Sequence, residues 1–442
     1  MPNKTIYALS TPFVKSAIAI IRVSGSNAKV SLESLCPSVN FIHGKAMVTD
    51  LLDSQGNMLD NAMVLFFEKG HSYTCEDLVE YHVHGSIAVI KDVLAELSKF
   101  NGYRMAEAGE FTKRALENGK LNLQQVEGIV DLIEARTSKQ REQSLKELKG
   151  ETYKSYLFWY ESIKEILAFC EATLDFSDQE LDDNLLTSLK DRLLNIHQDM
   201  EAELVKSSNI QKLKTGISLA ILGIPNVGKS SLINSLANKE VAIVSEIAGT
   251  TRDIIETFLD IQGFPVSIAD TAGIRATNNK IELIGVNKAL AKAKSTDLKI
   301  IMFSAEDFQN SYVAMENMID DDSLLIVNKI DLNTKLQLPS KHKFHLISVK
   351  TKAGIQELQQ ILAEKLAELT LITENPIITQ QRHIELITGT KQELQQAITN
   401  FDDPIIVAHH LHSALVYLGK IFGKVDIEEI LGLIFSNMCI GK

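Results

Sequence analysis

The feature that most narrows what this chain can fold into is the octapeptide Gly223-Ile-Pro-Asn-Val-Gly-Lys-Ser230. An apolar run, Ile217–Leu222, leads into it and an amphipathic stretch, Lys229–Ala237, leads out. It satisfies G-x-x-x-x-G-K-[ST] at every fixed position, in the strand–loop–helix setting a phosphate-binding loop requires. Gly223 and Gly228 let the backbone curl so that successive N–H groups face a β-phosphate, and the helix N-terminus adds partial positive charge. Lys229 brings a mobile cation to the β- and γ-phosphates, and Ser230 a hydroxyl to Mg²⁺. Further apolar runs at Val266–Ala269, Leu298–Phe303, Leu324–Val327 and Phe344–Ile347 alternate with helical stretches at Ile284–Ala293 and Ile355–Leu369. Such alternation predicts a parallel sheet covered on both faces. Ile254–Ile261 alternates in polarity instead and suits an antiparallel edge strand.

More nucleotide chemistry follows in chain order. Asp270-Thr-Ala-Gly273 ends one strand, where an acid can hold the Mg²⁺ water shell and Gly273 can offer its N–H to a γ-phosphate. Thr250-Thr-Arg-Asp253 is placed to give Mg²⁺ a second hydroxyl from a switch loop. Asn328-Lys-Ile-Asp331 ends another strand, and the Asp331 carboxylate can accept from both N1–H and the N2 amine of guanine. Adenine offers neither donor and would leave the carboxylate unpaired, at about 1–3 kcal/mol or more. Ser348-Val-Lys350 would add backbone N–H groups, with Val349 a mild departure from the usual Ala. After Asp-x-x-Gly, where many small GTPases carry a water-orienting Gln, stands Ile274, and the arginines within reach are Arg252 and Arg275. A missing cation in phosphoryl transfer is worth a factor of about 10³–10⁵, so another positive charge is needed or hydrolysis is slow.

Around this unit the texture differs. Residues 1–118 mix β-branched runs (Ala17–Val23, Met63–Phe67, Leu78–Val83) with one amphipathic stretch, Ile87–Phe100, and Asp53–Asn57 reads as a hairpin turn between two of those strands, an α+β pattern. Helical spacing runs from Leu121 to Leu213 and returns at Ile377–Phe401, Pro404–Tyr417 and Asp426–Phe435. An α/β unit with helices on both sides predicts insertion into a helical domain. Acids at Asp175, Asp178, Glu180, Asp182 and Asp183 read as a solvated interhelix loop. The 442 residues carry 45 Lys+Arg against 57 Asp+Glu, a formal charge of −12. That balance disfavours extended non-specific nucleic-acid binding, though not one local basic groove. Cys36, Cys75, Cys170 and Cys439 lie far apart with no CxxC pair, as in a reduced cytosolic chain. The apolar stretch Ala17–Ile21 runs into Arg22, and no apolar run is long enough for a bilayer span. A cytoplasmic location without membrane attachment is expected.

With the phosphate loop, Gly249-Thr-Thr-Arg-Asp253, Gly109-Glu-Phe-Thr-Lys-Arg-Ala115, Asn118-Gly-Lys-Leu-Asn-Leu123 and the final Cys439-Ile-Gly-Lys442 in place, the whole chain resembles the MnmE (TrmE) family, tRNA-modification GTPases of bacteria and organelles. The resemblance implies a multi-domain α/β plus α protein. Residues 1–118 would form an α+β domain for tetrahydrofolate binding and homodimerisation. A helical domain, 119–213 and 373–442, would be interrupted by a Ras-like P-loop GTPase domain at 214–372. The family works with a flavoprotein partner, MnmG, to place an aminomethyl or carboxymethylaminomethyl group on C5 of the wobble uridine of certain tRNAs.

Carried over position by position, GTP contacts would come from Asn226, Val227, Gly228, Lys229, Ser230 and Ser231, then from Ser245, Glu246, Ile247, Ala248, Gly249, Thr250 and Thr251. Asp270, Thr271, Ala272 and Gly273 follow, then Asn328, Lys329, Ile330 and Asp331, with Ser348, Val349 and Lys350. Ser230 and Thr251 would ligate Mg²⁺. Asn226, Ser245, Ile247 and Thr250 would hold a K⁺ ion that replaces the missing cation, and Glu282 would act in catalysis through a bridging water, beside Asn226 and Lys229. For a tetrahydrofolate derivative the matching residues are Arg22, Glu80, Lys120 and Lys442. Arg and Lys suit glutamyl carboxylates, and a carboxylate suits pterin donors. Cys439 is either a nucleophile beside that one-carbon carrier or a packed thiol. His82 and His84 share a strand face but, in the sequence, lack a third ligand for a metal. Two other readings compete: an Era-like GTP-switched ribosome-assembly factor whose helices grip RNA, and an ATPase in which Asp331 is idle.

Overall fold

The computed structural model describes residues 4–175, 183–236, 257–268, 296–321, 323–332, 336–370 and 378–423, with Met438 and Gly441. The chain divides into two compact units, residues 1–130 with 147–150 and 416–442, and residues 131–146 with 151–415.

The first unit is built on a sheet. Thr5–Leu9 (β1), Ile18–Ser24 (β2), Ala28–Leu35 (α1), Met47–Leu52 (β3), Met58–Phe67 (β4), Leu78–His84 (β5), Ile87–Ser98 (α2), Tyr103–Met105 (β6) and Glu110–Glu117 (α3) follow in order. The strands lie β3-β4-β5-β2-β1-β6, all antiparallel except β6 beside β1. Strand side chains alternate between faces. On one face Ile21, Val23, Val64, Phe66, Val79 and Val83 meet Leu32 and Leu35 of α1 and Ile90, Val93 and Leu97 of α2. The alternate residues Ile18, Ile20 and Arg22 on β2, and Glu80, His82 and His84 on β5, take the other face and stay partly or fully exposed. At the β1 end Ile6 and Ala8 pack with Ala106 and Phe111.

The three expected β-branched runs are strands, and Ile87–Phe100 forms the helix α2. The Asp53 turn is a hairpin, but it joins β4 to β3, which is none of the three expected runs, and its carboxylate accepts the N–H groups of Gln55 (2.9 Å) and Asn57 (2.8 Å). The sequence reading missed β1, β3, β6 and α1. β6 has only three residues and exists because Tyr103–Met105 finds a parallel partner in Thr5–Tyr7.

Four helices follow: Leu123–Glu134 (α4), Ser138–Leu148 (α5), Glu151–Asp175 (α6) and Asp183–Thr215 (α7). In the second unit come Ile217–Gly223 (β7), Lys229–Leu236 (α8), Thr257–Ile261 (β8), Phe264–Ile268 (β9), Leu298–Ser304 (β10), Phe308–Met315 (α9), Ser323–Asn328 (β11), Phe344–Leu346 (β12) and Ile355–Thr370 (α10). Gln381–Thr399 (α11) and Pro404–Ile421 (α12) complete the described elements. The sheet order is β12-β11-β10-β7-β9-β8, parallel throughout except for β8 at the edge. Because β7 sits between β9 and β10, the chain reverses its direction of travel across the sheet there. Such a switch point opens a crevice at the strand C-termini, where α/β sheets bind ligands. Its core includes Ile217, Leu219, Val266, Ile268, Ile300, Met302 and Ile326 under Leu358, Leu362 and Leu366 of α10. The stretches Ile284–Ala293 and Asp426–Phe435, and most of the acidic run at 175–183, lie outside the described residues. Among the described residues no helix is long and apolar enough to cross a membrane.

The helices of this unit have a polar anchor. Trp159 on α6 is fully buried, and its indole N–H donates to the Asp199 carboxylate on α7 at 2.7 Å. Tyr156 stacks edge-on to His383 of α11. Trp159→Phe keeps the aromatic ring but removes a hydrogen bond to a charged acceptor, so a loss of about 1.5–3 kcal/mol is expected. A thermal melt followed by far-UV circular dichroism checks it, and an unchanged midpoint would refute the anchoring role.

Candidate functional site

The phosphate loop leaves the C-terminal end of β7 at the switch point. Asn226 turns it with a φ of 62°, and Gly228 closes it at φ +103°, where a Cβ would stand 2.4 Å from Asn328 Nδ2. No side chain fits there. Helix α8 starts at once, with Leu232 N–H donating to the Gly228 carbonyl at 2.9 Å. The N–H groups of Lys229, Ser230 and Ser231 therefore precede the helical ladder and remain available to an anion.

Lys229 lies half-buried, its Nζ donating to the carbonyls of Gly223 (2.7 Å) and Ile224 (3.1 Å). Burial lowers its pKa. Those neighbours are neutral dipoles, so they hold the ammonium without cancelling its charge. A phosphate would do both.

Asn328 ties the motifs together. Its buried carboxamide donates to the Val227 carbonyl (2.9 Å) and accepts from Val349 N–H (3.1 Å). The register Met302↔Gly223 and Ser304↔Asn328 brings the ends of β7 and β11 to the same edge of the sheet. Asp331 accepts the Ser348 hydroxyl at 2.6 Å. That hydrogen bond, with Lys350 and Lys329 adding to it, holds its pKa below the ordinary value. An ionised acceptor fixed in orientation suits guanine's two donors. Lys329, at φ 65°, reaches Glu306 at 3.4 Å on the surface, and Ile330 N–H donates to the Ile347 carbonyl at 3.3 Å. Lys350 is exposed.

A second cluster sits on the exposed face of the first sheet. Arg22 and Glu80 are directly opposed on β2 and β5, with Nε to Oε1 at 2.7 Å. The other carboxylate oxygen meets His82 Nε2 at 3.2 Å. Tyr73 lies under the guanidinium, 6.0 Å from its ring centroid, and donates or accepts at Thr112 Oγ1, 2.9 Å away. Gly441 also lies here: its carbonyl accepts from Ser10 Oγ at 3.0 Å and makes a long 3.5 Å contact with Arg22 Nη1. A Cβ on Gly441 would stand 2.3 Å from the Leu9 carbonyl, so the backbone at residue 441 lies against the end of β1. Arg22 and Glu80 are thus brought together with residue 441. Lys120 stands exposed in the turn after α3, its N–H on the Ala115 carbonyl at 2.8 Å.

Sequence reasoning missed Ser10, Tyr73 and the role of His82 in this cluster. The signal available was the spacing of Glu80 and His82, two residues apart and therefore on one strand face. His82 and His84 have separate carboxylate partners, since His84 Nδ1 meets Asp60 Oδ1 at 2.8 Å across β4. Among the described residues no three metal-ligating side chains gather. Ser245, Glu246, Ile247, Ala248, Gly249, Thr250, Thr251, Asp270, Thr271, Ala272, Gly273, Glu282, Cys439 and Lys442 lie outside the described residues, as do Arg252 and Arg275.

Comparison with known proteins decides between the readings. The family model for the MnmE helical domain matches residues 123–439, and that for the GTP-binding protein TrmE N-terminus matches residues 5–120. This chain belongs to the MnmE family of tRNA modification GTPases. A Dinoroseobacter shibae protein named tRNA modification GTPase MnmE is 38% identical over 99% of this chain and 100% of its own length. A Parvibaculum lavamentivorans protein of the same name is 39% identical over the same shares. The G domain of FeoB from Methanococcus jannaschii aligns with 34% of this chain and 97% of its own, at 23% identity and a TM-score of 0.26. As a member of the MnmE family, the chain is a GTP-hydrolysing enzyme.

Asp331→Asn replaces one of the two oxygens that would accept from guanine's N1–H and amine with an NH2 group, which sets donor against donor. GTP affinity is expected to fall by about 1–3 kcal/mol or more, and xanthosine triphosphate, with a carbonyl at C2, to gain. Competition against a fluorescent GDP analogue measures both. For the unaltered chain the pH sign follows from the lowered Asp331 pKa. The ionised form binds, so affinity should hold as pH falls through the usual carboxylate range and decline only below it. A decline already near pH 5 would contradict this.

Proposed function

We propose that this chain is a potassium-stimulated GTPase whose cycle drives C5 modification of the wobble uridine of certain tRNAs, acting with the flavoprotein MnmG. One observation carries the nucleotide part: Asn328 bonds the phosphate loop to the base-reading loop beside Lys229, whose ammonium rests on the Gly223 and Ile224 carbonyls. The chain's own residues then have definite tasks. The loop amides and Lys229 bind the β- and γ-phosphates, Ser230 gives its hydroxyl to Mg²⁺ with Thr251, and Asp331 selects guanine. Ile274 cannot orient water, so Glu282 would hold the attacking water through a second one. K⁺ held by Asn226, Ser245, Ile247 and Thr250 would supply the positive charge that an arginine supplies elsewhere.

In the N-terminal part, residues 1–118, Arg22 and Glu80 would bind a tetrahydrofolate derivative, with Lys120 and Lys442. A bound folate would supply the one-carbon unit. The Arg22 guanidinium offers a fork to carboxylates, and Glu80 has lone pairs beyond its two contacts. Cys439, two residues before the pinned Gly441, is a candidate nucleophile toward that unit. The same sheet face supports homodimerisation: Ile18 is 59% exposed, Val48 71% and Met63 37%, and Val48 and Met63 are direct neighbours across β3 and β4. The segments 119–213 and 373–442 would form one helical domain around the GTPase domain 214–372. With a net charge of −12, tRNA affinity would rest partly on MnmG, in the cytoplasm.

Replacing sodium by potassium should raise kcat at least about tenfold, a modest share of the 10³–10⁵ that a missing cation is worth. Equal rates in the two salts would refute the role given to Asn226. Glu282→Ala should lower kcat with KM nearly unchanged; lost GTP binding would make its role structural. Arg22→Ala should weaken binding of a labelled tetrahydrofolate by about 1.5–3 kcal/mol, the worth of a hydrogen bond to a charged group. If the unaltered chain binds no folate, the roles given to Arg22, Glu80, Lys120 and Lys442 are refuted. The modified-nucleoside profile of tRNA from cells lacking the protein tests the whole.

A further inference from the structure

The β8–β9 hairpin is the edge of the nucleotide-binding sheet, and in sequence it joins the two motifs aimed at the γ-phosphate. Thr257 follows Asp253 by four residues and Ile268 precedes Asp270 by two. Its tip is docked. Gly263 is buried, with φ +92°, and its carbonyl accepts the N–H of Lys139 at 3.2 Å at the start of α5. A Cβ at Gly263 would stand 2.4 Å from Ser138 Oγ. The tip is held from its own side as well, by Gly263 N–H on Asp260 Oδ1 at 2.6 Å. Along β8 from the tip, the Arg136 guanidinium lies over the Phe258 ring, 5.0 Å from its centroid. A Cβ at Gly216, between α7 and β7, would stand 3.1 Å from the same ring.

The helical side of this contact is equally tied. Gln140 of α5 donates to the carbonyls of Leu213 (3.1 Å) and Lys214 (3.2 Å) at the end of α7. Asp131 accepts from Lys214 and, at 2.8 Å, from Gln380 just before α11. Hairpin, α5, α7 and the entry to α11 therefore share one set of hydrogen bonds.

We propose that this contact is the joint that couples the nucleotide state to the helices, with Arg136, Ser138 and Gly263 as its positioning residues. The inference rests on the GTPase reading above. A backbone hydrogen bond at a glycine with no spare room tolerates little sliding. A displacement of β8–β9 that accompanies a change at the γ-phosphate must carry the start of α5 with it or break the Lys139–Gly263 bond. Either event has a free-energy cost, and coupling of this kind is reciprocal. The joint therefore also sets the relative affinity for GTP and GDP.

The test uses the full chain and two readouts. Hydrogen exchange of the peptide bearing the Lys139 amide is compared with GDP and with a non-hydrolysable GTP analogue bound, and should differ by about fivefold or more, the lower end of usual allosteric coupling. Arg136→Gln should shift the ratio of GTP-analogue to GDP affinity by a similar factor, while Arg136→Lys, which keeps a cation over the ring, should hold it near the unaltered value. Gly263→Ala should shift the ratio as well, and adding Ser138→Ala, which removes the 2.4 Å clash, should return part of it. Identical Lys139 protection in both states, with an unchanged ratio in Arg136→Gln, would overturn the joint while leaving the GTPase reading intact. Failure of either nucleotide to bind the unaltered chain would overturn the GTPase reading itself and the joint with it.

Discussion

The nucleotide site depends on one carboxamide. Asn328 stands at the end of β11, yet its bonds go to Val227 in the phosphate loop and Val349 in the base loop. Each partner is a backbone group, and a backbone group buried without a partner costs about 1–3 kcal/mol. The three loops are therefore fixed relative to one another before any ligand arrives. Gly228 belongs to the same constraint, because only the absence of a Cβ lets that carboxamide approach so closely. A pre-formed pocket of this kind commits less binding energy to ordering loops and leaves more for discrimination.

Much of this was legible in the sequence, and the reason is chemical. A phosphate loop needs glycine and lysine at fixed spacing, and guanine recognition needs an acid a fixed distance after an asparagine. The parallel strands are continuous apolar runs, readable because both faces are buried. The N-terminal sheet was read only in part. β2, β4 and β5 carry β-branched runs, whereas β6 is set by pairing with β1, Thr5 against Tyr103, a long-range partner that no local pattern records. The bulge between Leu51 and Leu52 in β3 also breaks the alternation that would have announced that strand.

The Arg22–Glu80 pair illustrates the limit from another side. Neither residue is distinctive alone, since an arginine and a glutamate on strands are ordinarily surface charges. Register brings them together. They come face to face because β2 and β5 pair antiparallel with Ile20 against His82 and Arg22 against Glu80, and a slip of one residue would send both to opposite faces. The family resemblance supplied the residues; the hydrogen-bonded ladder supplies the geometry, and with it Tyr73, His82 and Ser10.

The pinned tail imposes a schedule on biosynthesis. Arg22 and the Gly441 carbonyl that it meets are separated by 419 positions, so the ribosome releases the sheet long before the residue that Arg22 meets. Closing so long a loop through an unfolded chain would be entropically costly, but folding of the intervening helices and nucleotide sheet shortens the path. The Gly441 contact thus forms later in synthesis than the sheet on which it rests.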